Sequence, residues 1–174
     1  LVTDGHEVII FDNLSTGKKE NLNPKAKFFK VDISDKNVFV KRRPLDFNQS
    51  YSMEDVMTGV DVVFHLAAKA RVQPSIDEPV DFHNTNVNGT LNMLDACRRY
   101  GVKRFIFSSS SSVYGDVEQL PTPEEHELNP MSPYALHKLI GEQYCKLFSE
   151  LYGLETACLR YFNVYGNRMS LDGA

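Results

Sequence analysis

Five short apolar runs, rich in β-branched and aromatic residues, recur along the chain, and each gives way to a polar or small residue. They are Glu7-Val8-Ile9-Ile10-Phe11-Asp12, then Ala26 to Val31 closed by Asp32, and then Asp61 to Leu66 running into Ala67 and Ala68. Arg104-Phe105-Ile106-Phe107 runs into five serines, and Thr156 to Tyr161 is the last. Between them lie segments of helical period. Val87, Leu91, Leu94 and Cys97 mark one helix at about 80–100, and Leu136, Ile140, Leu147 and Leu151 mark another at about 133–152. Ser132 is placed to cap the second helix, Pro133 suits its first position, and Gly153 is a stop. Strands alternating with helices of this length predict repeated βα units and a parallel sheet.

The composition supports a packed core. Leu, Ile, Val and Phe make up 49 of 174 residues, well above the level at which chains stay disordered. The longest apolar run, Val8 to Phe11, has four residues, far below the roughly 20 needed to span a bilayer. A formal net charge of −4 argues against nucleic acid as a main partner. Residues 1–20 show no secretory pattern, so the sequons at Asn13, Asn48 and Asn88 read as chance matches and the expected location is cytoplasmic. Cys97, Cys145 and Cys158 have neither disulfide-framework nor zinc spacing. They read as small buried hydrophobes in a reducing compartment. His6, His65, His83, His126 and His137 show no metal-ligand pairing, and no metal is expected. Residues 36–58 are the least legible, and Lys41-Arg42-Arg43 before Pro44 reads as a solvated loop rather than a binding patch.

Ligands of open α/β sheets bind at the carboxyl ends of the strands. Those ends carry Asp12, Asp32, Ala67-Ala68, the serine run and Tyr161-Phe162-Asn163. Carboxylates suit hydroxyl and amino donors, and small residues let a flat ligand approach the backbone. Tyr134 and Lys138, at i and i+4, share a helix face. A neighbouring ammonium favours a phenolate, which makes a phenol usable as a base near neutral pH. A serine hydroxyl twenty-four residues upstream, at a strand end, could bond the same substrate oxygen.

Taken together these stretches resemble the extended short-chain dehydrogenase/reductase family, in particular its NAD-dependent nucleotide-sugar epimerases and dehydratases. The matching segments are Gly5-His6-Glu7-Val8, Asp12 to Ser15, Asp61 to Ala68 and Asn86-Val87-Asn88-Gly89-Thr90. Ser108 to Gly115, Ser132-Pro133-Tyr134 to Lys138 and Arg160 to Gly166 complete the set. The fold implied is a Rossmann-like, doubly wound parallel sheet.

The resemblance also implies roles. Tyr134 would take the proton from the sugar C4 hydroxyl while hydride passes to NAD. Lys138 would hold the nicotinamide ribose and favour the Tyr134 phenolate, and Ser110 would polarise the C4 oxygen. Asp12 would accept from the adenosine ribose, favouring NAD over its phosphorylated analogue, with Asn13, Leu14, Ser15, Thr16 and Gly17 around that ribose. Asp32 and Ile33 would flank the adenine. Leu66, Ala67, Ala68, Asn86 and Ser108 would line the cofactor, Tyr161 would approach the nicotinamide, and Asn163 the nucleotide-sugar phosphates. A UDP-sugar substrate is implied, with UDP-glucose/UDP-galactose interconversion as the default, and a homodimer formed through the helices at 80–100 and 133–152.

Two departures shape the expectation. Ser111-Ser112 stand where dehydratases of the family carry acids, which favours an epimerase over a 4,6-dehydratase or decarboxylase. The closest glycines, Gly166 and Gly173, are seven residues apart, so no glycine-rich phosphate loop of the family's kind is present. The expectation is therefore a partial NAD-binding domain over 1–174, lacking the family's first strand, glycine-rich loop, most of the first helix and much of the substrate-binding part. Such a piece would bind NAD weakly and turn over little, or serve as a non-catalytic module. Without a central strand, the strands at 7–12 and 61–66 would pair directly, accept a strand from another chain, or leave the piece poorly folded.

Overall fold

The computed structural model describes residues 1–39, 44–46 and 49–168. Strand β1 (Ile9–Asp12) pairs in parallel with β2 (Lys27–Lys30), from Ile9 opposite Lys27 to Asp12 opposite Lys30. β3 (Pro44–Asp46) and β4 (Gln49–Ser52) form an antiparallel hairpin with a register irregularity between Pro44 and Asp46. This hairpin lies in the stretch with no readable pattern, because Pro44-Leu45-Asp46 and Gln49-Ser50-Tyr51-Ser52 contain no apolar run. Residues 41–43 lie outside the described residues.

A capping box opens helix α1 (Met53–Met57): the Ser52 hydroxyl accepts from the Asp55 amide, while the Asp55 carboxylate accepts from the Ser52 amide and hydroxyl. Strand β5 (Val62–His65) follows, then α2 (Val72–Asp77) and α3 (Pro79–His83). A single π turn, Asn84–Asn88, leads into α4 (Gly89–Tyr100). The helix expected at about 80–100 is therefore present but interrupted. The widened turn sits where π-bulges are often functional.

β6 (Arg104–Ser110) pairs in parallel with β5 on one side and with β7 (Glu155–Tyr161) on the other. β6 runs three residues beyond the apolar pattern, because Ser108, Ser109 and Ser110 find ladder partners in Leu159, Arg160 and Tyr161. Between these two strands comes α5 (Pro133–Tyr152), which Ser132 caps and Gly153 ends in the left-handed conformation. Its residues Leu136, Leu147 and Leu151 are exposed. The buried face is instead Ala135, His137, Lys138, Gly141, Cys145 and Phe148. Apart from Phe148, small and polar groups rather than leucines face inward.

One core cluster joins Phe29, Val31 and Ile33 beside β2 to Met53, Met93, Leu94, Phe105, Phe107, Cys145 and Phe148. Parallel strands with helices packed on them make a Rossmann-like α/β fold. Among the described residues, however, β1–β2 and β5–β6–β7 are separate sheets, with no ladder between β1 and β5. Direct pairing of those two strands is not what the chain does. The three cysteines are free, Cys97 and Cys145 being buried. The described residues hold no group of three or more His, Cys, Asp or Glu that could bind a metal, and no helix long and apolar enough to cross a membrane.

Candidate active site

At the end of β1, the Asp12 carboxylate accepts the Leu14 amide at 2.6 Å, and Leu14 takes φ 58°. The loop then folds back so closely that a Cβ on Gly17 would lie 2.7 Å from an Asp12 oxygen. Asn13 bridges outward: its Oδ1 accepts the Ser15 amide, and its Nδ2 donates to Asp32 at 3.1 Å. Asn13 to Gly17 thus wrap the first carboxylate and tie it to the second, while Thr16 is exposed. Burial works to raise the Asp32 pKa, but hydrogen bonds from the Ser34 hydroxyl and amide and from Asn13, with the charge of Lys69, hold it below the ordinary value. Ile33 is buried in the core, and its carbonyl accepts from Asn92 of α4.

Beyond β5, Leu66 and Ala67 are exposed and Ala68 is half-buried. The loop they begin is held by Asn86 of the π turn, whose side-chain oxygen accepts the Lys69 amide at 2.8 Å and whose Nδ2 donates to the Lys69 carbonyl at 2.9 Å. The Lys69 ammonium pairs with Asp81 and lies over the Phe82 ring. The Asn86 side chain therefore shapes this loop. Below it, the Thr90 hydroxyl donates to the Asn86 carbonyl, so His65 Nε2–H donates to Thr90 Oγ1 at 2.9 Å. His65, buried against Phe105 and Phe107, is held neutral: burial, then the Lys138 charge, lower its pKa from 6.5 to about 3.

The serine run does three jobs. The Ser108 carbonyl accepts the Lys138 ammonium at 2.7 Å, and Ser109 Oγ donates to Glu142 at 2.5 Å. Ser110 Oγ caps the 3₁₀ turn 111–114 by accepting from the Ser112 amide and hydroxyl. That turn packs against α5, whose first residues are Pro133 and Tyr134. Lys138 Nζ lies 5.8 Å from the Tyr134 ring centroid and 5.1 Å from that of Phe107. Only 5% exposed, it has its pKa lowered by burial from 10.5 to about 8. The ammonium form still dominates near pH 7. Tyr161 ends β7 opposite Ser110 and is exposed, as is Asn163.

The sequence pattern did not reveal three partnerships. Arg160 makes paired hydrogen bonds to Glu142 and reaches the Tyr114 hydroxyl and the Glu124 carbonyl, fastening the loop after Gly115 to the strand ends. Ser75 Oγ accepts the Tyr134 amide. Lys69 joins Asp81. These link residues 12 to 59 positions apart, with no local spacing to betray them.

With parallel strands flanked by helices, carboxylates after β1 and β2, small residues after β5, and the serines of β6 beside Tyr134 and Lys138 of α5, the chain falls in the Rossmann-like α/β class, whose ligands meet the carboxyl ends of the strands. Its relatives narrow this class. The chain belongs to the NAD-dependent epimerase/dehydratase family, whose match covers residues 1–173. It is 37% identical over 174 residues to the UDP-glucose 4-epimerase of Mycolicibacterium smegmatis, covering 99% of this chain and 53% of the relative. It superposes with a TM-score of 0.86 on the Thermotoga maritima UDP-glucose 4-epimerase solved with UDP-glucose, at 41% identity over 98% of this chain and 52% of that one. The Thermus thermophilus UDP-glucose 4-epimerase solved with NAD also gives 0.86, at 37% identity over 99% of this chain and 52% of that one. The chain spans about half the length of the relatives it matches.

Proposed function

We propose that residues 1–174 belong to the NAD-binding part of a nucleotide-sugar 4-epimerase of the UDP-glucose/UDP-galactose type. The carrying observation is the Lys138 ammonium, buried, bonded to the Ser108 carbonyl and 5.8 Å from the Tyr134 ring. It joins the proposed base and the serine strand in one rigid unit.

The residues present fit NAD at its two ends. Asp12, with Asn13 to Gly17 closed around it, would hold the adenosine ribose, and Asp32 with Ile33 would flank the adenine. Leu66, Ala67 and Ala68, open at the strand end, would line the dinucleotide beside Ser108. Lys138 would hold the second ribose and Tyr161 would approach the nicotinamide. When bound, NAD supplies the two-electron acceptor for the sugar carbon. Tyr134 would then take the proton of the C4 hydroxyl and later return it. Ser110, already oriented by Ser112, would hold the C4 oxygen in place, and Asn163 would meet the sugar-nucleotide phosphates. The 110–114 turn holds serines and no carboxylate, which favours epimerisation over loss of water.

The same reading supports a homodimer in which Val80, Leu136, Leu147 and Leu151, apolar and exposed on the two long helical segments, meet a second copy. It also fits a cytoplasmic enzyme of nucleotide-sugar metabolism. The deciding experiment is Tyr134→Phe in the epimerase. It is expected to lower kcat by about 10²–10⁴-fold, the usual range for a positioned general base, with NAD affinity by calorimetry and the far-UV spectrum unchanged. Undiminished turnover in this variant overturns the assignment.

A further inference from the structure

Helix α5 begins with Pro133, which has no amide proton, so three donors need partners in its first turn. The Ala135 amide goes to Ser132 Oγ and the Leu136 amide to the Ser132 carbonyl. Both are local. The Tyr134 amide instead donates to Ser75 Oγ at 3.1 Å, fifty-nine residues away. Ser75 is fully buried in α2, and its own proton is committed to the Val72 carbonyl at 2.6 Å. Its oxygen is thus turned toward Tyr134 as an acceptor.

α2 is the continuation of the segment that begins at Leu66-Ala67-Ala68. Between them lies Lys69, held on both backbone groups by Asn86 and by its ammonium at Asp81. One stretch of ten residues, Leu66 to Ser75, therefore runs from the open end of β5 to the main chain of Tyr134. It is bonded to Asn86 at the loop and to the tyrosine at Ser75.

We propose that Ser75 is a positioning residue, which couples the loop after β5 to the placement of Tyr134. A dinucleotide seated on Ala67 and Ala68 shifts the loop, and Ser75 carries the shift to the base. This rests on the function proposed above. Ser132 caps the same turn but lies outside the path, and so serves as the structural control.

The test uses the ¹⁵N-labelled full chain, titrated with NAD, as wild type, Ser75→Ala and Ser132→Ala. Ala at 75 removes one oxygen from a buried site, and retention of the fold is read from the protected amides of Phe105 and Phe107. In the wild type the amide signals of Ala67, Ala68 and Tyr134 are expected to move together. In Ser75→Ala the Tyr134 shift falls at least threefold while those of Ala67 and Ala68 persist. Ser132→Ala keeps all three. Without ligand, Tyr134 amide exchange rises about tenfold in Ser75→Ala, the equivalent of one lost hydrogen bond. A full Tyr134 shift in Ser75→Ala, equal loss in both variants, or a wild type in which only Ala67 and Ala68 respond each overturns the coupling. A wild type in which none of the three signals moves overturns the NAD assignment, and the coupling with it.

Discussion

His65 sits where two aromatic rings and the Lys138 ammonium make an imidazolium costly, and its pKa falls from 6.5 to about 3. The folded state keeps this ring neutral, while the unfolded chain takes a proton at about 6.5. Between these values the unfolded state binds more protons, so stability is complete above pH 6.5 and is lost as pH falls toward 3. At about 1.4 kcal/mol per unit, the loss across the window is of order 3–5 kcal/mol. Urea unfolding from pH 7 to 3.5 is expected to show this slope in the wild type and a flatter one in His65→Gln. Parallel curves for the two proteins would exclude His65 as the cause. At this scale the sequence was uneven as a guide. Tyr134 and Lys138 were legible because four residues make one helical turn, and the carboxylates because they end apolar runs. His65 looked ordinary, for its burial against Phe105 and Phe107, the nearby Lys138 charge and its bond to Thr90 of α4 arise only in the folded chain.

The packing of α5 on β6 is decided by Gly141, where an added Cβ would lie 2.3 Å from Phe107 Cζ. Phe107 is buried at the strand centre and cannot swing away into solvent. Alanine in a helix gains about 1 kcal/mol over glycine, while overpacking a filled core costs about 1–3 kcal/mol. So severe a contact belongs at the upper end, and the clash wins. Gly141→Ala should therefore lower stability by about 1–2 kcal/mol, read from the urea midpoint at constant slope; a stabilised variant would mean that the helix can lift from the strand freely. The same helix shows where periodicity misleads. Its leucine spacing announced a helix correctly, yet Leu136, Leu147 and Leu151 are on its outer face, because Ala135, His137, Lys138, Gly141, Cys145 and Phe148 take the inner one. The hairpin of β3 and β4, which has no apolar run, went unread, and the helical period that starts at Val87 gave no sign of the π turn at 84–88.

Among the described residues the strands form three separate sheets, and helix α4, rather than a strand ladder, packs in the core shared by β1–β2 and β5–β6–β7. Alternating runs in the sequence disclosed parallel βα units but not this division, since strand order depends on contacts between distant segments. Leu94 and Cys97 of α4 are buried in the shared cluster, and its Asn92 Nδ2 donates to the Ile33 carbonyl just beyond β2 at 2.8 Å. Apolar packing alone is non-directional, so this hydrogen bond fixes where the two-stranded sheet sits against the helix. Asn92→Ala should cost about 1 kcal/mol, the usual worth of one such bond. The cost should also be local. Sheets that share no ladder can open as separate units, each with its own free energy. Native-state hydrogen exchange is therefore expected to rise about fivefold at Phe11 and Phe29, with Phe105 and Phe107 unchanged. An equal rise in both sheets would show a single cooperative unit, and the core, not the helix, would then be what holds β1 and β2 in place.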